Sequence, residues 1–155
     1  MASLDELDCE ILSELQQTGD IPNVELARRV GLSPAATLRR VQRLRRDGVI
    51  SAICAVVDHD LVGLRVEAFV LVALTEQADP NDPGLARKLA AIPEILRADT
   101  IAGQDDLLIH IAAKDTRELQ KVLRMLPRLG ARRITTMLRL EGCKPPSAAA
   151  VGPTD

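Results

Sequence analysis

Aromatic side chains are almost missing from this chain: Phe69 stands alone among 155 residues, with no Trp and no Tyr. Proteins that hold single-stranded nucleic acid usually stack its bases on aromatic rings, so this chain is poorly equipped for that task. Histidine is limited to His59 and His110. No Ser/His/Asp or Cys/His arrangement is readable, and there is no glycine-rich phosphate loop, so no catalytic residue is expected. The three cysteines, Cys9, Cys54 and Cys143, are an odd number at wide spacing and form no CxxC pair. They are expected to be reduced thiols in a cytosol, without a disulfide framework or a structural metal site. The nearest approach to a ligand set is Asp105 and Asp106 with His110, and no metal is expected there. There is no apolar run of membrane-spanning length. The segment Met1–Leu15 is acidic, opposite to the basic start of a secretory signal.

Basic charge is also missing, but only locally. Residues 1–27 hold no Lys or Arg and seven acids; residues 28–46 then hold Arg28, Arg29, Arg39, Arg40, Arg43, Arg45 and Arg46 and no acid. The whole chain has a net charge of −2, so any affinity for DNA must reside in this patch and must weaken with salt. The patch coincides with helix-turn-helix punctuation in NVELARRVGLSPAATLRRVQRLRRDGVI, residues 23–50. Asn23 is placed to cap a first helix, whose apolar stripe is Val24, Leu26, Ala27 and Val30. Gly31 can end it in the left-handed conformation. Ser33 and Pro34 suit the start of a second helix, with Leu38, Val41 and Leu44 inward and Gly48 after its end. The second helix of such a pair can enter a DNA major groove, its N-terminal residues closest to the bases. Ser33, Ala35, Ala36, Arg39, Arg40, Arg43 and Arg46 are the residues expected to bind duplex DNA.

The rest of the chain sets these helices in an α+β plan. Leu4–Gln17 is expected to form a first helix that completes a three-helix unit. Ile50–Val57 is β-rich and reads as a wing or a linking strand. An N-terminal winged helix-turn-helix domain is therefore expected over residues 1–57, with a linker at 58–64. Residues 65–143 follow the order βαββαβ of a ferredoxin-like domain: strands Val66–Thr75, Ile95–Ala102, Leu107–Ala113 and Ala131–Leu140, and helices Pro83–Ile92 and Thr116–Leu126. Residues 144–155, rich in Pro and Ala, are expected to be disordered. Val66–Thr75 and Leu107–Ala113 barely alternate between apolar and polar residues. Both faces of the sheet therefore call for burial, and a second copy is the simplest cover for the face without helices.

These residues resemble the Lrp/AsnC family of feast/famine transcription regulators over nearly the whole chain. LDELDCEILSELQQTG resembles the family's LDxxDxxIL opening, residues 23–50 follow its helix-turn-helix signature, and GQDDLLIHI is similar to its glycine-acid turn and strand. The resemblance implies a cytoplasmic, nucleoid-associated bacterial or archaeal regulator. Dimers would assemble into tetramers or octamers around a small effector, usually an amino acid. It carries effector binding onto Gly103, Gln104, Asp105 and Asp106, and onto Met137, Leu138 and Arg139. An aspartate beside a glycine turn offers an anion for an ammonium group and backbone N–H groups for a carboxylate. Leu107 stands where the family often has an aromatic residue, and residues 52–55, AICA, replace a Tyr-containing segment. Two alternatives stay open: an architectural DNA-binding protein without an effector, and a tetrapyrrole decarboxylase of similar plan. GQDD also reads as a plain polar turn between strands.

Overall fold

The computed structural model describes residues 3–145 and 147–154. Met1, Ala2, Pro146 and Asp155, parts of the expected first domain and tail, lie outside the described residues. The chain divides into two compact units, Met1–Val56 with Lys144–Asp155, and Val57–Cys143.

In the first unit, α1 spans Glu6–Gln17, starting two residues later than expected from the sequence. Asp5 sets this start. Its Oδ1 accepts the Asp8 amide at 2.8 Å, and Asp8 Oδ2 accepts the Asp5 amide at 3.2 Å, a reciprocal cap that satisfies two free N–H groups. α2 spans Asn23–Arg29. Asn23 does not cap it, contrary to expectation, because it is itself the first helical residue after Pro22. Its Nδ2 instead donates to the Pro34 carbonyl at 2.8 Å and ties the start of α2 to the start of α3. Gly31, at φ 67°, ends α2 as expected, and the Leu32 amide reaches back to the Ala27 carbonyl at 2.9 Å. α3 spans Pro34–Arg46, with the Ser33 hydroxyl oxygen accepting the Ala36 amide at 3.2 Å.

The three helices enclose Ile11, Leu12, Leu26, Val30 and Leu44, with Val41, Leu15 and Ile21 partly buried around them. Two residues expected in this core are outside it: Val24 is 69% exposed and Leu38 46%. Thr37 is fully buried in place of Leu38. Its hydroxyl donates to the Ser33 carbonyl at 3.1 Å, which removes the cost of burying it. α3 is thus turned by roughly a third of a residue step from the rotation that hydrophobicity alone suggests.

Asp8 explains that rotation. It is fully buried, and an unpaired carboxylate there would be expensive. Arg40 Nη1 donates to Asp8 Oδ1 at 2.8 Å and to Asp5 Oδ2 at 2.7 Å, and Arg43 bonds the other Asp8 oxygen. The Arg40 hydrogen bond, with the Asp8 amide, holds the Asp5 carboxyl below the usual carboxylate range.

Residues 50–57, expected as a wing or linking strand, have no regular secondary structure. The tail, expected to be disordered, belongs to the first unit: Thr154 forms a β-bridge with Leu4, and Ala149 exchanges two hydrogen bonds with the Gln16 side chain.

The second unit has the expected βαββαβ order. β1 is Val66–Leu74, α4 Pro83–Ala90, β2 Ile95–Thr100, β3 Leu107–Ala113, α5 Thr116–Met125 and β4 Ala131–Leu138, with a short 3-10 turn Leu126–Leu129 before β4. The antiparallel sheet has the order β2-β3-β1-β4. Ala68, Val70, Val72 and Leu74 of β1 and Leu107, Ile109 and Ile111 of β3 pack with Leu85, Leu89, Leu119 and Val122 of the helices. Phe69, Leu71 and Leu108, from the other face, are only half-buried, and Met137 is 43% exposed.

Asp8→Ala is expected to lower the unfolding free energy by about 2–4 kcal/mol, because it strips a buried pair of one partner. Leu38→Ala should cost less, about 1 kcal/mol, since nearly half of that residue is exposed. Urea denaturation checks both values.

Candidate functional sites

The setting of α3 decides which side chains can meet DNA. With Thr37 and Leu44 inward, Ala35, Arg39, Gln42 and Arg46 lie opposite them at helical spacing, and all four are exposed. Leu38 and Arg45, also exposed, flank this face. Arg39 keeps its guanidinium close, with Nε donating to the Ala35 carbonyl at 3.3 Å. Arg46 lies 3.7 Å from Asp47. Neither Arg39 nor Arg45 has an acidic partner among the described residues. Ser33 is exposed but its hydroxyl is engaged as the cap, and Ala36 is half-buried.

Arg40 and Arg43, expected on the DNA face, are directed into the Asp5–Asp8 cluster. Arg28 and Arg29 are likewise paired, with Glu25 at 2.6 and 2.9 Å, and Arg29 also with Glu14 at 2.8 Å. The hydrogen bonds from Arg28 and then Arg29 lower the Glu25 carboxyl to about 2. The acid-only and arginine-only stretches of sequence therefore neutralise each other over much of their length. The α3 arginines that stay outside these close pairs are Arg39, Arg45 and Arg46, the last with Asp47 at 3.7 Å. Gln42 was missed by charge-based reading. Its spacing from Ala35 and Arg39, seven and three residues, was the available signal.

In the second unit, the turn at Gly103–Asp106 joins β2 to β3 at the Leu74 end of β1. Asp106 is locked there. Its amide donates to the Val72 carbonyl at 2.8 Å, and its Oδ2 accepts the Leu74 amide at 2.7 Å. Oδ1 accepts no hydrogen bond among the described residues. Asp105 is engaged by Arg133, whose Nη2 donates to Oδ1 at 3.1 Å and to the Gln104 carbonyl at 3.3 Å. Gly103 and Gln104 are exposed. Asp106 borders an open cleft of about 560 Å³ lined also by Leu74, Thr75, Glu76 and Arg132. Arg132 has no acidic partner among the described residues.

Met137, Leu138 and Arg139 are not near this cleft within one chain. Antiparallel pairing sets Leu138 against Ala68 and Met137 against Phe69, whereas Ala131 meets Leu74. The two halves of the expected site are thus separated by about a strand length, five residues at ~3.4 Å each. Arg139 instead joins Glu67, with its Nη1 at 2.7 Å from Oε1. His59 Nδ1 lies 3.0 Å from the same oxygen, and His110 Nε2 lies 2.9 Å from Oε2 and stacks on Phe69 with ring centroids 4.6 Å apart. Burial raises the Glu67 carboxyl, but the bonds from the two histidines and the Arg139 charge outweigh it and leave it below its ordinary value. His110 thus sits with Glu67 and not with Asp105 and Asp106. Among the described residues no group of three His, Cys, Asp or Glu side chains could hold a metal ion. No helix among them is long and apolar enough to cross a membrane.

Comparison with known proteins matches residues 4–51 to a winged helix-turn-helix DNA-binding model and residues 67–148 to the Lrp/AsnC ligand binding domain. The leucine-responsive regulatory protein of Rhizobium meliloti is 38% identical over 117 residues, covering 76% of this chain and 75% of the relative. The protein of the same name from Haemophilus influenzae is 32% identical over 140 residues, covering 90% of this chain and 78% of the relative. A transcriptional regulator of Neisseria meningitidis, solved in complex with L-Met, superposes with a TM-score of 0.85 at 28% identity, covering 95% of this chain and 96% of that one.

Two outcomes follow from the geometry of α3. Arg39→Ala should weaken duplex binding and reduce the slope of log affinity against log salt by about one unit, without loss of stability. Arg40→Ala should instead lower the melting temperature, because it removes one of the two arginines that pair with the buried Asp8. Titrations at several salt concentrations, with a thermal melt of each variant, separate the two. The Glu25 pairs have a pH signature. Their stabilisation is fully present above the ordinary carboxylate value of 4.5 and is lost as pH falls towards about 2. Melts of the parent and Glu25→Gln should therefore converge across that range.

Proposed function

This chain belongs to the Lrp/AsnC family of transcriptional regulators, and we propose that it reads duplex DNA with the outer face of α3 and responds to a free amino acid held beside Asp106. The family assignment makes it a regulator with a helix-turn-helix DNA-binding unit and a ligand-binding unit. On α3, Arg39, Arg45 and Arg46 supply phosphate contacts. Gln42 presents the amide that can pair with the major-groove edge of adenine, and Ala35 allows close approach at the helix tip.

The observation that carries the effector reading is the pairing of opposite functions across one cleft. Asp106 holds its carboxylate fixed through the Leu74 amide and leaves Oδ1 for an ammonium group. Arg132 lines the same cleft with a guanidinium that has no acidic partner among the described residues. A carboxylate and a guanidinium facing one volume complement a zwitterion, and charge-assisted hydrogen bonds are the strong ones. The methionine complex of the Neisseria meningitidis regulator supports an amino acid as the ligand class. Self-association is supported by the half-buried Phe69, Leu71 and Leu108 on the sheet face away from the helices, which a second copy would cover. Two copies would present two α3 helices to successive DNA half-sites.

Calorimetry and melting shifts against the twenty amino acids test the effector. At least one should bind at millimolar concentration or tighter. Arg132→Ala should weaken it by about tenfold or more, the loss of a charged hydrogen-bond partner. Asp106→Asn should do the same while retaining the contact to the Leu74 amide. A parent that responds to none, or variants that respond as the parent does, would remove the site.

A further inference from the structure

The most unexpected contacts in the first unit are made by its last residues. Ala149 is held at both backbone polar atoms: its N–H donates to Gln16 Oε1 at 2.8 Å, and its carbonyl accepts Gln16 Nε2 at 3.1 Å. Five residues on, Thr154 is held again. Its N–H donates to the Leu4 carbonyl at 3.1 Å, its hydroxyl oxygen accepts the Leu4 amide at 3.1 Å, and its carbonyl accepts the Ser3 hydroxyl at 3.3 Å. A primary amide that grips both the N–H and the C=O of one extended residue imitates a neighbouring strand.

Between the two holds lies a cleft of about 610 Å³. One wall is α1, through Leu12, Leu15 and Gln16; the other is the segment that follows α3, through Val49, Ile50, Ile53 and Val56. Ala149 and Val151 of the tail close its edge. No α3 residue lines this cleft.

We propose that the rim of this groove is a binding site for an extended peptide and that the peptide held there is the chain's own C-terminal segment, residues 149–154. The segment is a strap that fixes residues 49–56 against α1. Three independent features agree. First, the spans match. Leu4 to Gln16 is about 18–20 Å, mostly helix at ~1.5 Å per residue, and five extended steps from Ala149 to Thr154 reach about 17–18 Å at most, with the Gln16 side chain covering the remainder. The strap therefore runs antiparallel to α1 in one register, almost fully stretched. Second, the occupant suits the groove. Ala149 and Val151, two residues apart and so on one side of an extended chain, bring small apolar side chains to the edge of the groove, and Pro153 limits the freedom lost on docking. Third, residues 51–58 have no secondary structure of their own, so their course depends on what they pack against. The strap thereby fixes the direction in which the chain leaves the DNA-binding unit.

The register makes the test sharp. Deleting Ala150 leaves four steps, about 14 Å, too few to reach both holds; deleting Ala148, outside the holds, leaves the span intact. The Gln16 side-chain amide and the Leu4 and Ile53 backbone amides are followed by NMR in the full chain. The Ala150 deletion and Gln16→Ala should shift the Leu4 and Ile53 resonances, and the Ala150 deletion should shift the Gln16 amide too; the Ala148 deletion should leave all of them in place. In a chain ending at Lys144, a synthetic peptide of residues 145–155 should restore the parent positions, with affinity at least fivefold weaker for its Ala150-deleted form. Equal spectra for the two deletions would overturn the strap. A folded truncated chain whose Leu4, Gln16 and Ile53 resonances match the parent's would overturn it as well.

Discussion

The arrangement of the DNA-binding unit depends on one buried carboxylate. Asp8 lies fully inside the three-helix unit and is made tolerable there by Arg40 and Arg43, reaching across from α3. This interaction links the acidic opening of the chain to its arginine-rich helix. It also fixes the rotation of α3 about its own axis. Given that rotation, Thr37 and Leu44 must point inward, and Ala35, Arg39, Gln42 and Arg46 outward. The exposed face of α3, which we propose meets DNA, is therefore the complement of a structural ion pair. A buried pair is weak evidence for net stability, but a charge that must find its partner in one place is an effective device for fixing a register.

The same logic recurs in the second unit. Asp106 is also a carboxylate with a structural duty, capping the Leu74 amide at the end of β1. That duty leaves half of the group available and holds it still, which is what a ligand contact needs. Asp105 lacks that freedom because Arg133 has claimed it. Neighbouring acids in one turn are thus held differently, Asp105 by the Arg133 guanidinium and Asp106 by the Leu74 amide. Glu67 is a third case: His59, His110 and Arg139 all converge on its two oxygens, and the far end of the sheet is tied up internally.

Much of this was legible in the sequence, and the failures are physical. Ser33, Pro34, Gly31 and Gly48 are local signals, and local backbone chemistry placed them correctly. The βαββαβ order followed from strand and helix periodicity in the same way. Leu38 was placed in the core and Thr37 passed over because hydrophobicity cannot register a hydroxyl satisfied by the Ser33 carbonyl. Arg40 and Arg43 were taken for DNA contacts because their partners, Asp5 and Asp8, are more than thirty residues away. Residues 50–57 have β-forming composition, but a strand forms only against a paired neighbour, and none among the described residues pairs with them. Met137–Arg139 and the Gly103–Asp106 turn are united by family resemblance, yet antiparallel register separates them on one chain. The tail has the composition of a disordered segment; its holds on Gln16 and Leu4 come from the far end of the sequence.

The central claim is that Asp8 sorts the arginines of α3 into structural and DNA-facing sets. The most direct measurement is the ¹⁵N–¹H spectrum of the arginine Nε–Hε groups during titration with duplex DNA. The Arg39 and Arg46 signals should move and broaden as DNA is added, while Arg40, held by Asp5 and Asp8, stays at its free position. Movement of Arg40 with DNA, or silence from Arg39 and Arg46, would contradict the account.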